Sequence, residues 1–300
     1  MKMKKIIMSG LMVLFAVALV ACSGTSGNNE ATKETVKVGS KDFTENLVIS
    51  EIYALALEDK GYKVERVQNI AGSIIPKSIE SGEIDLYPEY TGTALLSIFK
   101  LPLETDPDAV FTAVKKAYEE AGVLTVLDYA PGNDGQGIAI NTSMAQKYDI
   151  VTISDLQANA DKIRFASQGE FDERADGLKG LAEVYGPFDF ISSTVYDNSL
   201  KYQVLTSDEA DATPAYTTEG PLSDKAAFTV LVDDKQFWPP YNLMPVVRQD
   251  LLKAHPEIAE IINQIDQAID TDTLIQLNAK VDIDGEDYTK VAKAYYESLE

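Results

Sequence analysis

Histidine and cysteine are almost missing from this chain of 300 residues: there is one of each, His255 and Cys22. That excludes a Cys/His zinc site, a disulfide framework and a Cys–His dyad, and leaves any serine-hydrolase chemistry dependent on His255. His255 lies in Lys253-Ala-His-Pro-Glu257, just ahead of a proline, which is the surface setting of a helix start. No Gly-x-Ser-x-Gly, phosphate loop or metal motif occurs. In Asp282-Ile-Asp-Gly-Glu-Asp287 the glycine follows only two alternating oxygen ligands, and Thr289, Lys290 and Val291 stand downstream, so the EF-hand pattern fails and a solvated turn is expected. Positive charge is also scarce. There are 26 Lys and Arg against 48 Asp and Glu, a formal charge of −22, and from Cys22 onward the balance is 23 against 48, or −25. A surface that acidic repels phosphate backbones, so no nucleic-acid partner is expected. The expectation is a protein that is not an enzyme, with no catalytic residues, no cofactor and no metal.

What the chain does contain starts with an address. Residues 1–5 form a basic segment and residues 6–20 an apolar run of signal-peptide length, too short and wrongly flanked for a membrane span. It ends Leu19-Val20-Ala21-Cys22, which resembles a bacterial lipobox, where the cysteine is lipidated after cleavage. Residues 1–21 are therefore expected to be a signal peptide. Residues 22–35, polar and without apolar periodicity, are expected to be a flexible tether from a lipidated Cys22 on the extracytoplasmic face of a bacterial cell membrane.

The remainder is long enough for two domains at about 150 residues each. Val36–Ser40 reads as a strand, Thr44 as the cap of a helix running to about Lys60 with Leu47, Val48, Ile52, Leu55 and Ala56 inward, and Gly61 as its stop. A strand at 62–67 and a helix from near Ile74 continue the alternation of an α/β sheet. The more informative signal is an internal repeat. Ser81-Gly-Glu-Ile-Asp-Leu-Tyr-Pro-Glu-Tyr-Thr91 matches Ser207-Asp-Glu-Ala-Asp-Ala-Thr-Pro-Ala-Tyr-Thr217 at a shift of 126, with six of eleven positions identical. A fainter echo links Ser40-Lys-Asp-Phe-Thr-Glu45 to Ser167-Gln-Gly-Glu-Phe-Asp-Glu173. Two lobes of like construction follow, presenting equivalent strand-end loops, and strand ends are where α/β sheets bind ligands. Lobe 1 is expected to span residues 36–135 plus 231–300 and lobe 2 residues 136–230, with 228–232 and 245–247 leading back to the first lobe. Lobe 2 should hold strands at 137–141 and 163–167 and a helix opening near Ile153, and the C-terminus should be helical over 255–269, 271–279 and 288–299, the last with Val291, Ala294 and Tyr295 inward. Trp238, beside two prolines, reads as a packing anchor at a chain crossing.

Gly39-Ser-Lys-Asp-Phe-Thr-Glu45, the segments 82–93 and 233–242, Glu170-Phe-Asp-Glu-Arg-Ala-Asp-Gly177 and Leu277-Asn-Ala-Lys-Val-Asp282 together resemble the substrate-binding proteins of osmoprotectant ABC transporters. The resemblance covers about residue 36 to the end. It implies a two-lobed, type II periplasmic-binding-protein-like clamp with a cleft between the lobes, closing on glycine betaine, carnitine or choline and delivering it to ABC permease and ATPase subunits. By resemblance, Tyr90, Tyr202 and Tyr216 form an aromatic cage, and Lys41, Thr93 and Arg174 meet the ligand carboxylate. A quaternary ammonium has no N–H to donate, so aromatic faces and desolvation suit it, each face contributing about 0.5–2 kcal/mol. Arg174 offers the planar fork that holds a carboxylate with two parallel hydrogen bonds. Gln136 stands where several family members carry another tyrosine, which opens a second reading: a betaine with a polar ring, such as ergothioneine, read by Gln136.

Overall fold

A computed structural model describes residues 35–173 and 176–299, and in it the described strands build two five-stranded sheets. Residues 1–34, which include Cys22 and the expected signal peptide and tether, and Arg174 lie outside the described residues. The first sheet contains β1 (Thr35–Lys41), β2 (Lys63–Ile70), β3 (Leu86–Tyr90), β4 (Leu124–Val126) and β10 (Leu243–Arg248), in the order β2-β1-β3-β10-β4. The second contains β5 (Gln136–Asn141), β6 (Arg164–Ser167), β7 (Ser192–Val195), β8 (Ala212–Tyr216) and β9 (Phe228–Val230), in the order β7-β6-β8-β5-β9. In each sheet three strands are parallel, and the fourth in the order runs antiparallel to both its neighbours.

The repeat in the sequence is a repeat in the backbone. β3 and β8 are offset by the same 126 residues, and each opens from a left-handed residue at the equivalent place, Gly82 (φ +77°) and Asp208 (φ +61°). Asp85 accepts the Lys37 backbone N–H at 2.8 Å and Asp211 accepts that of Arg164 at 2.8 Å. The two aspartates thereby pin the repeated strand to its parallel neighbour in both sheets. Sequence identity at these positions is thus a requirement of register, and the tyrosine that ends each copy arrives at the same strand end.

The helix Thr44–Asp59 is apolar around most of its circumference because it is wrapped by β1, β2 and the helices Glu257–Asp266, Thr271–Asp282 and Tyr288–Ser298. Val48, Ile52 and Ala56 are buried as expected, but so are Ile49, Tyr53 and Leu57, while Leu47 and Leu55 are half-buried. Thr44 is not its cap. Phe43 takes that position without a side-chain hydrogen bond, and the Thr44 hydroxyl instead donates to Asp282 at 2.6 Å. Gly61, at φ +84°, ends the turn as expected.

Three further expectations are corrected. Phe228–Val230 does not rejoin the first sheet: it pairs with β5, with Phe228 opposite Asn141 and its ring buried against Tyr202. Leu231 likewise packs in the second core, beside Trp238, which is the packing anchor expected and whose indole N–H donates to the Asp176 carbonyl at 2.8 Å; the chain joins the first sheet at β10, which holds the expected 245–247. In the C-terminal helix Val291 and Ala292 are inward and Ala294 is exposed, because Ala292 follows Val291 onto the face that meets the helix Thr44–Asp59.

Candidate functional site

Two chain crossings join the sheets, and they are stitched to each other. Asn133 bridges Asn242 in antiparallel fashion, the Tyr241 N–H donates to Asn133 Oδ1 at 2.6 Å, and the Asn242 side-chain amide donates to the Ala130 carbonyl at 3.1 Å. Thr91, next after the first strand-end tyrosine, is tied to the same crossing through the Pro240 carbonyl and the Asn242 N–H, each at 3.0 Å. Thr217, at the equivalent place in the second sheet, bonds the Asn133 carbonyl and the Gly135 N–H. The repeated Tyr-Thr pairs therefore place their threonines at the crossings and their tyrosines beside them. Gly92 is required here. A Cβ on it would stand 2.7 Å from the Tyr241 ring and 2.8 Å from the Pro240 carbonyl, so only glycine lets Tyr241 lie against the end of β3.

Between the strand ends is a cleft of about 540 Å³, lined from both sheets. Its aromatic surface comes from Phe43, Tyr90, Tyr216 and Tyr241. Tyr90 is 4% exposed, stacked on Phe43 with centroids 6.1 Å apart, and Tyr216 is 47% exposed. Each has a lysine ammonium near its ring centre, Lys41 at 5.1 Å from Tyr90 and Lys201 at 5.9 Å from Tyr216. Both ammoniums are already neutralised, Lys41 by the buried Glu89 and Lys201 by Glu219 at 2.5 Å.

Carboxyl groups dominate the rest of the lining: Glu45, Asp134, Asp176, Glu219 and Asp282 all reach the cleft. Glu45 is buried and accepts from the Tyr90 hydroxyl at 2.7 Å and the Asn278 amide at 2.9 Å. Burial raises its pKa, opposed by the polar groups of Thr218, Tyr90 and Asn278 beside it. Asp134 accepts from the Thr218 hydroxyl at 2.6 Å, and burial followed by the charge of Glu45 holds it well above the ordinary carboxylate range. Burial, then Glu45 and Asp134, likewise push the Tyr90 phenol well up, so Tyr90 stays a neutral donor.

Of the residues expected at a site, Lys41, Tyr90, Thr93, Gln136 and Tyr216 line this one cleft. Gln136, paired across the ladder with Tyr216, donates to Asp176 at 3.0 Å. Tyr202 lines neither this cleft nor the adjoining hollow. Its ring packs on Phe228, and its hydroxyl donates to Glu219 at 2.6 Å, so it stands behind a lining residue. That hollow, about 370 Å³, shares Gln136 and Tyr216 with the cleft and adds Gln168, Asn198 and Lys201. Sequence reasoning missed Phe43, Glu45, Asp134, Thr218, Glu219, Tyr241 and Asn278. Phe43, Glu45, Tyr241 and Asn278 lie inside the quoted motifs, so their signal was present. Thr218 and Glu219 directly follow the second repeat.

The family profile described as "Substrate binding domain of ABC-type glycine betaine transport system" matches residues 34–298. A Pseudomonas aeruginosa "Glycine-betaine-binding protein" is 33% identical over 284 residues, covering 91% of this chain and 90% of that one. The Helicobacter pylori "Ergothioneine transport permease/ergothioneine binding protein EgtU" is 31% identical over 300 residues, 99% of this chain; the chain spans about half the length of that relative, 54%. Among solved structures, one described as a "glycine betaine/carnitine/choline ABC transporter" superposes with a TM-score of 0.83 at 27% identity, covering 88% of this chain and 98% of its own. The fold is accordingly the two-lobed type II clamp with helices about two mixed sheets.

Proposed function

We infer, for a chain that belongs to the family of substrate-binding domains of ABC-type glycine betaine transport systems, that the cleft captures a quaternary ammonium solute such as glycine betaine, carnitine or choline and delivers it, chemically unchanged, to a permease and its ATPase. One observation carries this reading: four aromatic rings and five carboxyl-bearing side chains line a cleft whose lysine is already paired with Glu89. Such a lining attracts a cation that offers methyl groups rather than N–H donors. Tyr90 and Tyr216 supply the faces, and Tyr202 stands behind them through its bond to Glu219, a third face by family resemblance only if closure brings it forward; for Arg174 with Lys41 and Thr93 on the carboxylate, the support is the family resemblance. Micromolar capture requires about −8 kcal/mol, within reach of several such contacts and one charged anchor. A thermal-shift series tests it. Glycine betaine, carnitine or choline should raise the melting temperature by mass action, and indifference to all trimethylammonium compounds would end the reading. Arg174→Ala should weaken betaine by about 1.5–3 kcal/mol and spare choline, which has no carboxylate.

A second reading has its own support. Gln136, an amide where an aromatic was expected, opens onto the hollow with Gln168 and Asn198, which suits a betaine with a polar ring. Ergothioneine in the same series decides between them.

We also propose that Cys22 carries a lipid anchor on the extracytoplasmic face, on the strength of the lipobox-like residues 19–22. Among the described residues no helix is long and apolar enough to cross a membrane. Acyl labelling should be lost in Cys22→Ala; labelling at the level of the unmutated protein would refute the anchor.

A further inference from the structure

Glu45 and Asp134 both line the cleft, and among the described residues no lysine or arginine pairs with either. Thr218 binds Asp134, and Asn278 joins the Thr218 carbonyl to Glu45, so one short polar chain holds both carboxyls. Among the described residues, the charged groups around them have partners of their own. From β1, Lys41 is taken by Glu89; from the segment after β8, Glu219 is taken by Lys201. Gln136 donates to Asp176, and Thr44 donates to Asp282 on the helix Thr271–Asp282. β3 contributes Tyr90, a donor without charge at neutral pH. Among the described residues no lysine or arginine pairs with either Glu45 or Asp134, and the buried Asn278 Oδ1 adds a negative dipole end without a partner. Glu45 is buried, Asp134 is half-buried within its reach, and the charge of one penalises ionisation of the other, so the pair retains a proton that an isolated carboxyl would have lost.

We propose that the cleft exchanges a proton for its ligand: a permanent cation entering beside Tyr90 displaces to solvent a proton held on the Glu45–Asp134 pair. The O–H bond of the protonated carboxyl breaks, the proton passes to the buffer, and the trimethylammonium charge takes over its electrostatic role. The ligand itself neither gains nor loses a proton. The direction of both carboxyl shifts agrees, since each is raised by burial and Asp134 further by Glu45. Linkage then requires that binding tighten as pH rises while the pair still holds its proton, by up to about tenfold per pH unit for one proton released, and level off above.

This inference rests on the quaternary ammonium reading, and one calorimetric design separates the two. Glycine betaine and choline are titrated into the protein from about pH 5 to about pH 8, at each value in two buffers whose ionisation heats differ widely: acetate and MES at the acid end, phosphate and Tris at the upper end. Neither ligand titrates in that range, so any buffer-dependent heat reports protons from the protein. The expected result is release of up to one proton per ligand at the acid end, declining as affinity levels off. Asp134→Asn and Glu45→Gln should each remove most of the release and flatten the pH dependence of Kd. A purely structural role for either residue would weaken binding equally at all pH and leave the proton count intact. Binding with heats that are independent of buffer overturns the exchange and leaves the function standing. Absence of binding by either ligand at every pH overturns both.

Discussion

The two lobes share a strand order and a repeated strand, yet they present their equivalent tyrosines differently. Tyr90 is buried, stacked on Phe43 and bonded to Glu45, whereas Tyr216 is half open to solvent. The residues beside them explain the contrast. Where β3 carries Glu89 to hold Lys41, β8 carries Ala215, and the neutralising acid for Lys201 is supplied from Glu219 beyond the strand. One lobe thus builds a rigid, packed wall and the other an accessible face, as a clamp requires if one side positions the ligand and the other closes on it.

The largest expected effect breaks that contrast at its source. Tyr90→Ala should cost about 3 kcal/mol of stability, because it opens a cavity under Phe43 and strips Glu45 of a donor, and it should abolish micromolar binding. Tyr216→Ala should leave stability within about 0.5 kcal/mol while weakening trimethylammonium ligands by about 1–2 kcal/mol. Urea titration beside calorimetry distinguishes them; equal stability losses would erase the distinction between the lobes. Next come the paired aspartates. Asp211 is buried and also receives Arg164 Nε at 2.9 Å and Nη2 at 2.6 Å, while Asp85 is half-buried and takes the backbone alone. Asp211→Ala should cost about 2–3 kcal/mol and Asp85→Ala about 1 kcal/mol, read from the same titration.

A smaller effect belongs to the first lobe. Asp266 is fully buried, accepts the Tyr53 hydroxyl at 2.7 Å on one oxygen and has no partner for the other, and burial holds its pKa well above the ordinary value. With the folded value raised, its stabilising contribution is complete below about pH 4, the unfolded value, and is lost as pH climbs through the folded one. Asp266→Asn should flatten the melting temperature between about pH 5 and pH 8 and stabilise the protein at the upper end by about 1–2 kcal/mol. An unchanged slope would show that Asp266 does not titrate on folding. The smallest change is Gln136→Tyr, which should tighten simple betaines by about 1 kcal/mol by adding a ring to the accessible wall, and calorimetry that finds weaker binding would place the amide in direct contact with ligand.

The sequence made the duplicated strand legible because register at Asp85 and Asp211 constrains residue type, and it made Tyr90 and Tyr216 legible because they end that strand. It concealed Asp134, which is one carboxylate among many until the two crossings bring it beside Glu45, more than eighty positions away. Phe228 was misassigned for a related reason: a short apolar run names a strand but not the neighbour it pairs with, and pairing here is decided by the turn after Leu222. Ala294 failed through a one-residue phase error on a short helix, where Ala292 and Ala294 fit the period equally on paper.

The position of β10 has a consequence in time. The second sheet is complete once residues 136–230 are available, since all its strands are contiguous in the chain. The first sheet waits for Leu243–Arg248, the strand inserted between β3 and β4, and until then both of those strands expose unpaired edges. A chain synthesised from its N-terminus therefore presents its earlier half unfinished while its middle folds. The window between those events is when holdase chaperones or proteases would find an open sheet edge to grip.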